Sequence, residues 1–274
     1  MPDTRTYTRP LAVLAAAATV AGLVACTPAP SPEAAAAGDA ASTEVTIYLT
    51  RHGETMLNAL ERAQGWADSP LVEAGEEDAE HLGEGLKAAG IDFEAVYSAD
   101  MVRHFDTARL ALDAAGSELV PIRDERLREV AFGEFEGADN EEMWNYAAKA
   151  LGYADMGAMF SDYESFEFND ALDAIAAASD DSELTAETAQ DVAERAFESL
   201  SDIAEAGVEA GGGDILVVSS GITIMSVLGL LGADLSGVTT GIDNAAVSKL
   251  VYLDGAWTVE SVNDLSYVEA GAQD

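Results

Sequence analysis

The sequence has one cysteine, three histidines, and 13 lysines and arginines against 51 acidic residues, a formal net charge of −38. Each scarcity excludes something. A lone cysteine forms no disulfide within the chain, and with only three histidines the ligand set for a structural metal is poor, so no metal site is expected. A surface this acidic repels nucleic acid and anionic lipid headgroups, so nucleic acid is not an expected partner. Solubility is the plain reading of the acid excess. There is no Walker loop, no His-Glu-x-x-His pair and no Gly-x-Ser-x-Gly elbow. Gly83-Glu84-Gly85-Leu86-Lys87-Ala88 fits a loose dinucleotide pattern, but it falls inside a helical stretch rather than after a strand. No cofactor is expected from it.

What is present begins with a leader. Arg5 and Arg9 precede an apolar run from Leu11 to Val24, which is shorter than the roughly 20 residues that span a bilayer. Residues 1–25 therefore read as a secretory signal peptide. Leu23-Val24-Ala25 followed by Cys26 resembles the bacterial lipobox. That resemblance implies cleavage before Cys26, lipidation of its thiol, and an extracytoplasmic protein anchored to the cell membrane. Residues 26–44 are rich in Pro, Ala, Ser and acids without apolar periodicity, and read as a flexible tether. Residues 45–274 are long enough for one α/β domain. Beyond the leader the chain keeps 11 cations against 50 acids, and seven of its eight arginines lie between residues 51 and 128. So acidic a chain that gathers its arginines in one segment points to an anion site there.

The apolar pattern alternates between two periods. Strands are expected at 44–50, 93–97, 118–122 and 214–219, with a hairpin from 246 to 262 around Asp254-Gly255. Helices are expected at 55–63, 72–89, 101–115, 186–206 and 221–231. Alternating strands and helices predict an α/β fold with a mainly parallel central sheet. Residues 138–183 are acidic with scattered aromatics and read as an inserted, cap-like segment of helices and loops. Trp144, Tyr153, Phe160 and Tyr163 are expected to pack its helices, or to line the pocket.

The chemistry concentrates after the first strand, at Arg51-His52-Gly53-Glu54-Thr55. In an open α/β sheet, ligands bind beyond the carboxyl ends of the strands. Further segments follow in order: Gln64-Gly65-Trp66-Ala67-Asp68-Ser69-Pro70-Leu71, Tyr97-Ser98-Ala99-Asp100-Met101-Val102-Arg103 with Thr107-Ala108, Leu127-Arg128-Glu129 with Phe132-Gly133-Glu134-Phe135-Glu136-Gly137, and Val217-Val218-Ser219-Ser220-Gly221. Together they resemble the histidine phosphatase superfamily, the phosphoglycerate-mutase-like group, over roughly residues 45–260.

The resemblance implies a three-layer sandwich with helices on both faces of the sheet. It also implies phosphomonoester hydrolysis of a small phosphorylated substrate through a phosphohistidine on His52. Arg51 and Arg103 would bind the phosphoryl group through forked donors. Glu129 would be the proton donor and then the base. Asn58 is a further candidate for phosphate binding, and Arg62 and Gln64 are weaker candidates for substrate binding. One position departs from the pattern: where the family places a second histidine, this chain has Ser220. Neither other histidine falls in that segment. Because neighbours on a helix point about 100° apart, His104 is expected to sit outside the pocket of Arg103. His81 is expected on a solvated helix face. Ser220 leaves two other readings open, a non-catalytic lipoprotein that binds a phosphate ligand or a partner, and a phosphotransferase of the phosphoglycerate-mutase type.

Overall fold

The computed structural model describes residues 43–162, 165–238 and 241–273. The leader, Cys26 and the tether to residue 42 lie outside those residues, as does Tyr163. Among the described residues no helix is long and apolar enough to cross a membrane.

Six strands, β1 (Val45–Arg51), β2 (Phe93–Ser98), β3 (Ile122–Arg123), β4 (Gly213–Ser219), β5 (Val247–Leu253) and β6 (Ala256–Asp264), form one sheet. Their order is β3-β2-β4-β1-β5-β6. The first four in that order run parallel, and the β5–β6 hairpin joins antiparallel to β1. This is the α/β fold with a mainly parallel sheet.

Side chains along the two central strands alternate between two cores, as period-2 geometry demands of a sheet covered on both faces. Val45, Ile47, Leu49, Ile215 and Val217 pack with α7 (Ala189–Ala210) and α8 (Gly221–Leu230). Tyr48, Leu216 and Val218 pack on the other face with α2 (Glu73–Ala88) and α3 (Val102–Ala115). Each fully buried aliphatic side chain is worth roughly 1.5–3 kcal/mol. An exposed ion pair such as Arg109–Asp113 contributes about 1 kcal/mol at most. The apolar alternation, not the charge pattern, holds the layers.

Three elements differ from expectation. The helix expected over 55–63 is only α1 (Met56–Ala59), because Glu61 takes a left-handed backbone (φ 54°) and Arg62 bridges to Asp139. The strand expected at 118–122 is the two residues of β3, starting after Pro121, which has no N–H to give a sheet. A terminal helix, α9 (Ser266–Gly271), had no signal because one and a half turns show no period. It packs on α2, where Gly85 meets the carbonyl of Tyr267.

Residues 138–183 hold α4 (Asn140–Ala150), α5 (Met156–Phe160) and α6 (Phe168–Ala177). Trp144 stacks with Phe160 and Phe168 at centroid distances of 5.5 and 5.7 Å, over buried Met143, Met159, Leu172 and Ile175. Tyr153 joins the same cluster. These aromatics form the segment's own core.

The glycines of the loose dinucleotide pattern have a packing reason. Gly83 lies against the main chain of Ala111 on α3, where a Cβ would strike its carbonyl. In a free helix, Gly→Ala gains about 1 kcal/mol. Here overpacking costs roughly 1–3 kcal/mol. Gly83→Ala is therefore expected to lower the unfolding free energy in a denaturant titration. An unchanged or higher midpoint would show that α2 and α3 separate freely.

Candidate active site

Parallel pairing of β1 with β4 sets Arg51 opposite Ser219. The next residues, His52 and Ser220, leave the two strand ends side by side, and the His52 amide donates to the Ser219 carbonyl at 3.0 Å. Helix α3 closes the third side. Its Thr107 hydroxyl accepts from the Gly53 amide at 3.0 Å and donates to the Arg103 carbonyl at 2.7 Å.

His52 is buried. Its Nδ1 lies 2.8 Å from the Gly53 carbonyl, which can only accept. Nδ1 therefore carries the proton, and Nε2 keeps its lone pair. Burial, then the nearby Arg103 and Arg51 cations, push the imidazole well below its ordinary value. The ring is neutral, as a nitrogen nucleophile must be. The Asn244 amide donates to the His52 carbonyl at 2.8 Å and fixes the main chain behind it.

Two arginines flank this ring. Arg51 donates to the Ile242 carbonyl at 2.6 Å, while its buried Nε has no partner among the described residues. The guanidinium runs beside Gly221 at the start of α8. Arg103 is fully buried and binds the carbonyls of Gly65 and Ala67 at 2.8 and 3.2 Å and the Asp68 carboxylate at 3.1 Å. Its Nε is likewise buried without a partner among the described residues. Burial pushes both guanidinium groups down from the usual arginine value, and neighbouring carboxylates offset part of that.

Glu129 sits at the N-terminus of α8. Its Oε1 accepts from the amides of Val130 and Thr223 and from the Thr223 hydroxyl. Among the described residues Oε2 accepts only from the Ile222 amide, at 3.0 Å, which leaves that oxygen room for a proton. Arg195 holds the same turn from behind, donating to the carbonyls of Arg126, Arg128 and Glu129 at 2.7–2.9 Å.

Glu136 organises the loop that Arg103 grips. Its carboxylate accepts from the amides of Gly65, Trp66, Ala67 and Phe132 at 2.7–3.1 Å. The Trp66 indole then donates to the Glu129 carbonyl at 3.1 Å, tying that loop to the Glu129 turn.

Of the residues expected from sequence, Arg51, His52, Arg103, Glu129 and Ser220 converge at these strand and helix ends. Three others have polar atoms engaged in local structure. Asn58 closes the capping box of α1 with Thr55. Gln64 links the hydroxyls of Thr55 and Ser69 at 2.5 and 3.1 Å. Arg62 pairs with Asp139 at 3.3 Å and is half-buried. His81 is half-buried on α2.

The expectation for His104 is overturned. It is fully buried, stacks edge-on against His52 at 5.1 Å between ring centroids, and meets the Ser220 hydroxyl through Nε2 at 2.6 Å. Helical spacing separates it from Arg103, but the first turn of α3 is wedged between the strand ends and the 64–70 loop. Both directions are therefore interior. Thr107 and Glu136 stood within the motif segments without an assigned role, and Asn244 and Arg195 gave no local signal.

Residues 47–265 match the histidine phosphatase superfamily, branch 1. The chain is 41% identical to a phosphoglycerate mutase from Bacillus anthracis str. Sterne, whose crystal structure superposes with a TM-score of 0.77 over 84% of this chain and 98% of that one. YhfR of Bacillus stearothermophilus is 28% identical, with a TM-score of 0.61 over 82% of this chain and 99% of that one. The probable phosphoglycerate mutase GpmB of Enterobacter sp. (strain 638) is 28% identical over 242 residues, 83% of this chain and 97% of that protein. The chain belongs to the histidine phosphatase superfamily.

The depressed imidazole of His52 makes stability depend on pH. Between the ordinary histidine value of about 6.5 and the lower folded one, the unfolded chain binds a proton that the folded chain refuses. This contribution is complete above pH of about 6.5 and is lost as pH falls below it. Relative to His52→Asn, the wild type is expected to lose up to about 1.4 kcal/mol of unfolding free energy per pH unit in that window. Denaturant titrations at several pH values check it. A constant difference would mean that His52 titrates like a free peptide.

Proposed function

We propose that this chain is a phosphomonoester hydrolase whose nucleophile is His52. The observation that carries the reading is the neutral, buried imidazole with a free Nε2 between two arginines. Nε2 attacks phosphorus and the ester P–O bond breaks. Glu129 delivers a proton to the departing oxygen, giving an alcohol and a phosphohistidine. Water then attacks the phosphohistidine, returns a proton to Glu129, and releases phosphate. Charge spreads over the equatorial oxygens during both transfers, so the arginine forks supply most of the stabilisation.

The Bacillus anthracis relative, described as a phosphoglycerate mutase, favours a second reading, phosphoryl transfer between monophosphoglycerates by the same chemistry. Against it, the further cations around this site are matched. Arg62 pairs with Asp139, Arg128 with Asp100, and Arg195 with Glu187. A bisphosphorylated intermediate calls for cations beyond Arg51 and Arg103, the latter already paired with Asp68, whereas one phosphoryl group can be served by those two. A binding protein with no turnover has only Ser220 in its favour.

The purified full-length chain, incubated with radiolabelled para-nitrophenyl phosphate and quenched, is expected to carry an acid-labile, base-stable label. His52→Ala should abolish it, and Glu129→Gln should slow ester turnover by about 10²–10⁴-fold. Interconversion of monophosphoglycerates without phosphate release would establish the transferase instead. No label and no turnover would leave the binding reading.

We further propose that the chain is exported and held at the membrane by lipid on Cys26, supported by the leader and the lipobox-like Leu23-Val24-Ala25-Cys26. Cells expressing the chain should incorporate labelled palmitate into it, and Cys26→Ala should not. Labelling that survives Cys26→Ala would sink the anchor.

A further inference from the structure

Ser220 is the N-cap of α8, yet its hydroxyl makes no cap hydrogen bond. Serine at this position ordinarily turns its oxygen to the amides of the second and third helical residues. Here those amides, of Ile222 and Thr223, are taken by the Glu129 carboxylate. The Ser220 hydroxyl is thereby released from capping, and it meets His104 Nε2 at 2.6 Å. Both residues are fully buried.

The protonation of His104 decides what the hydroxyl can do. Burial, then Arg103 and His52, push this imidazole well below its ordinary value, so it has one N–H. Its Nδ1 is buried without a partner among the described residues. A proton on Nδ1 would be a buried donor left unmade, and the serine hydrogen would be spent on Nε2. With the proton on Nε2, the ring donates to the serine oxygen and the serine hydrogen is free to turn elsewhere. Only the second arrangement avoids an orphaned N–H, the rarer defect in protein interiors.

We infer that His104 is a positioning residue that makes Ser220 a hydrogen-bond donor to the phosphoryl group held at His52. This rests on the proposed phosphohistidine chemistry. The two strand ends place Ser220 next to His52, and the His104 ring lies edge-on against the His52 ring. An imidazole on α3 acting through a hydroxyl thus adds a third donor to those of Arg51 and Arg103. The competing reading, Ser220 as a nucleophile with His104 as its base, lacks the third group that orients such a base.

The test uses the full-length chain with radiolabelled para-nitrophenyl phosphate. Ser220→Ala removes the donor, and His104→Phe keeps the buried ring and its edge-on packing while removing the N–H. Each should lower kcat by about 10²–10³-fold, the scale of deleting one transition-state donor, with KM nearly unchanged. The double variant should be no slower than either single one, because the two residues act as one unit. His52-dependent label with wild-type kcat in Ser220→Ala would overturn the inference while leaving the hydrolase reading intact. Additive losses in the double variant would also overturn it. An acid-stable, base-labile label lost in Ser220→Ala would show serine to be the nucleophile. If the wild type never labels on His52, the hydrolase reading fails and this inference with it. Should His104→Phe not fold, the Ser220→Ala result decides alone.

Discussion

The parallel pairing of β1 with β4 is the constraint on which the rest of the site depends. Seven consecutive residue pairs, from Val45–Gly213 to Arg51–Ser219, fix where the two strands end. A slip of one residue would invert every side chain between the two cores and would part His52 from Ser220. The register is held because both faces are buried, so each apolar residue of β1 and β4 has only one core that suits it. His52, the proposed nucleophile, is placed by hydrophobic packing several residues away.

Carboxylates do the fine positioning. Glu129 takes the first amides of α8, Glu136 gathers four amides of two loops, and the Glu187–Arg195 pair supports the turn between them. Apart from the exposed Trp66 amide, these interactions are buried or half-buried, where a charge-assisted hydrogen bond is stronger than at the surface and its loss leaves amides unsatisfied. The consequence runs through to Ser220. Because Glu129 caps α8, the serine hydroxyl need not, and it meets His104 instead.

The fold was legible because long strands and helices carry strong periodicity, and the motif around His52 follows a strand directly. Boundaries were less legible where tertiary contacts decide them, as at Arg62, whose bridge to Asp139 ends α1 early. Arg51, His52, Arg103 and Glu129 were readable as residue types suited to phosphate. Asn58 and Gln64 were also readable; Asn58 Oδ1 and the Gln64 amide bond to the local framework. His104 was misplaced because helical geometry gives the angle between neighbours but not how much of a helix end is enclosed. Arg195 and Asn244 reach the site from distant segments, and no local pattern marks such a contact.

A chain with a formal charge of −38 that acts on a phosphate ester, as proposed above, would meet two opposed fields. Surface carboxylates repel the ester at long range, but at physiological salt the screening length is about 8 Å. Charges beyond that distance contribute little at the site. Within it, the decisive groups are buried or partly buried cations, which salt screens far less. Arg51 is the clearest of them: it makes no ion pair among the described residues, and its one guanidinium contact is to a neutral carbonyl. The acid excess therefore sets the rate of encounter more than the affinity once the ester is bound. Acidity of the surface and anion chemistry at the strand ends are compatible because they act over different distances.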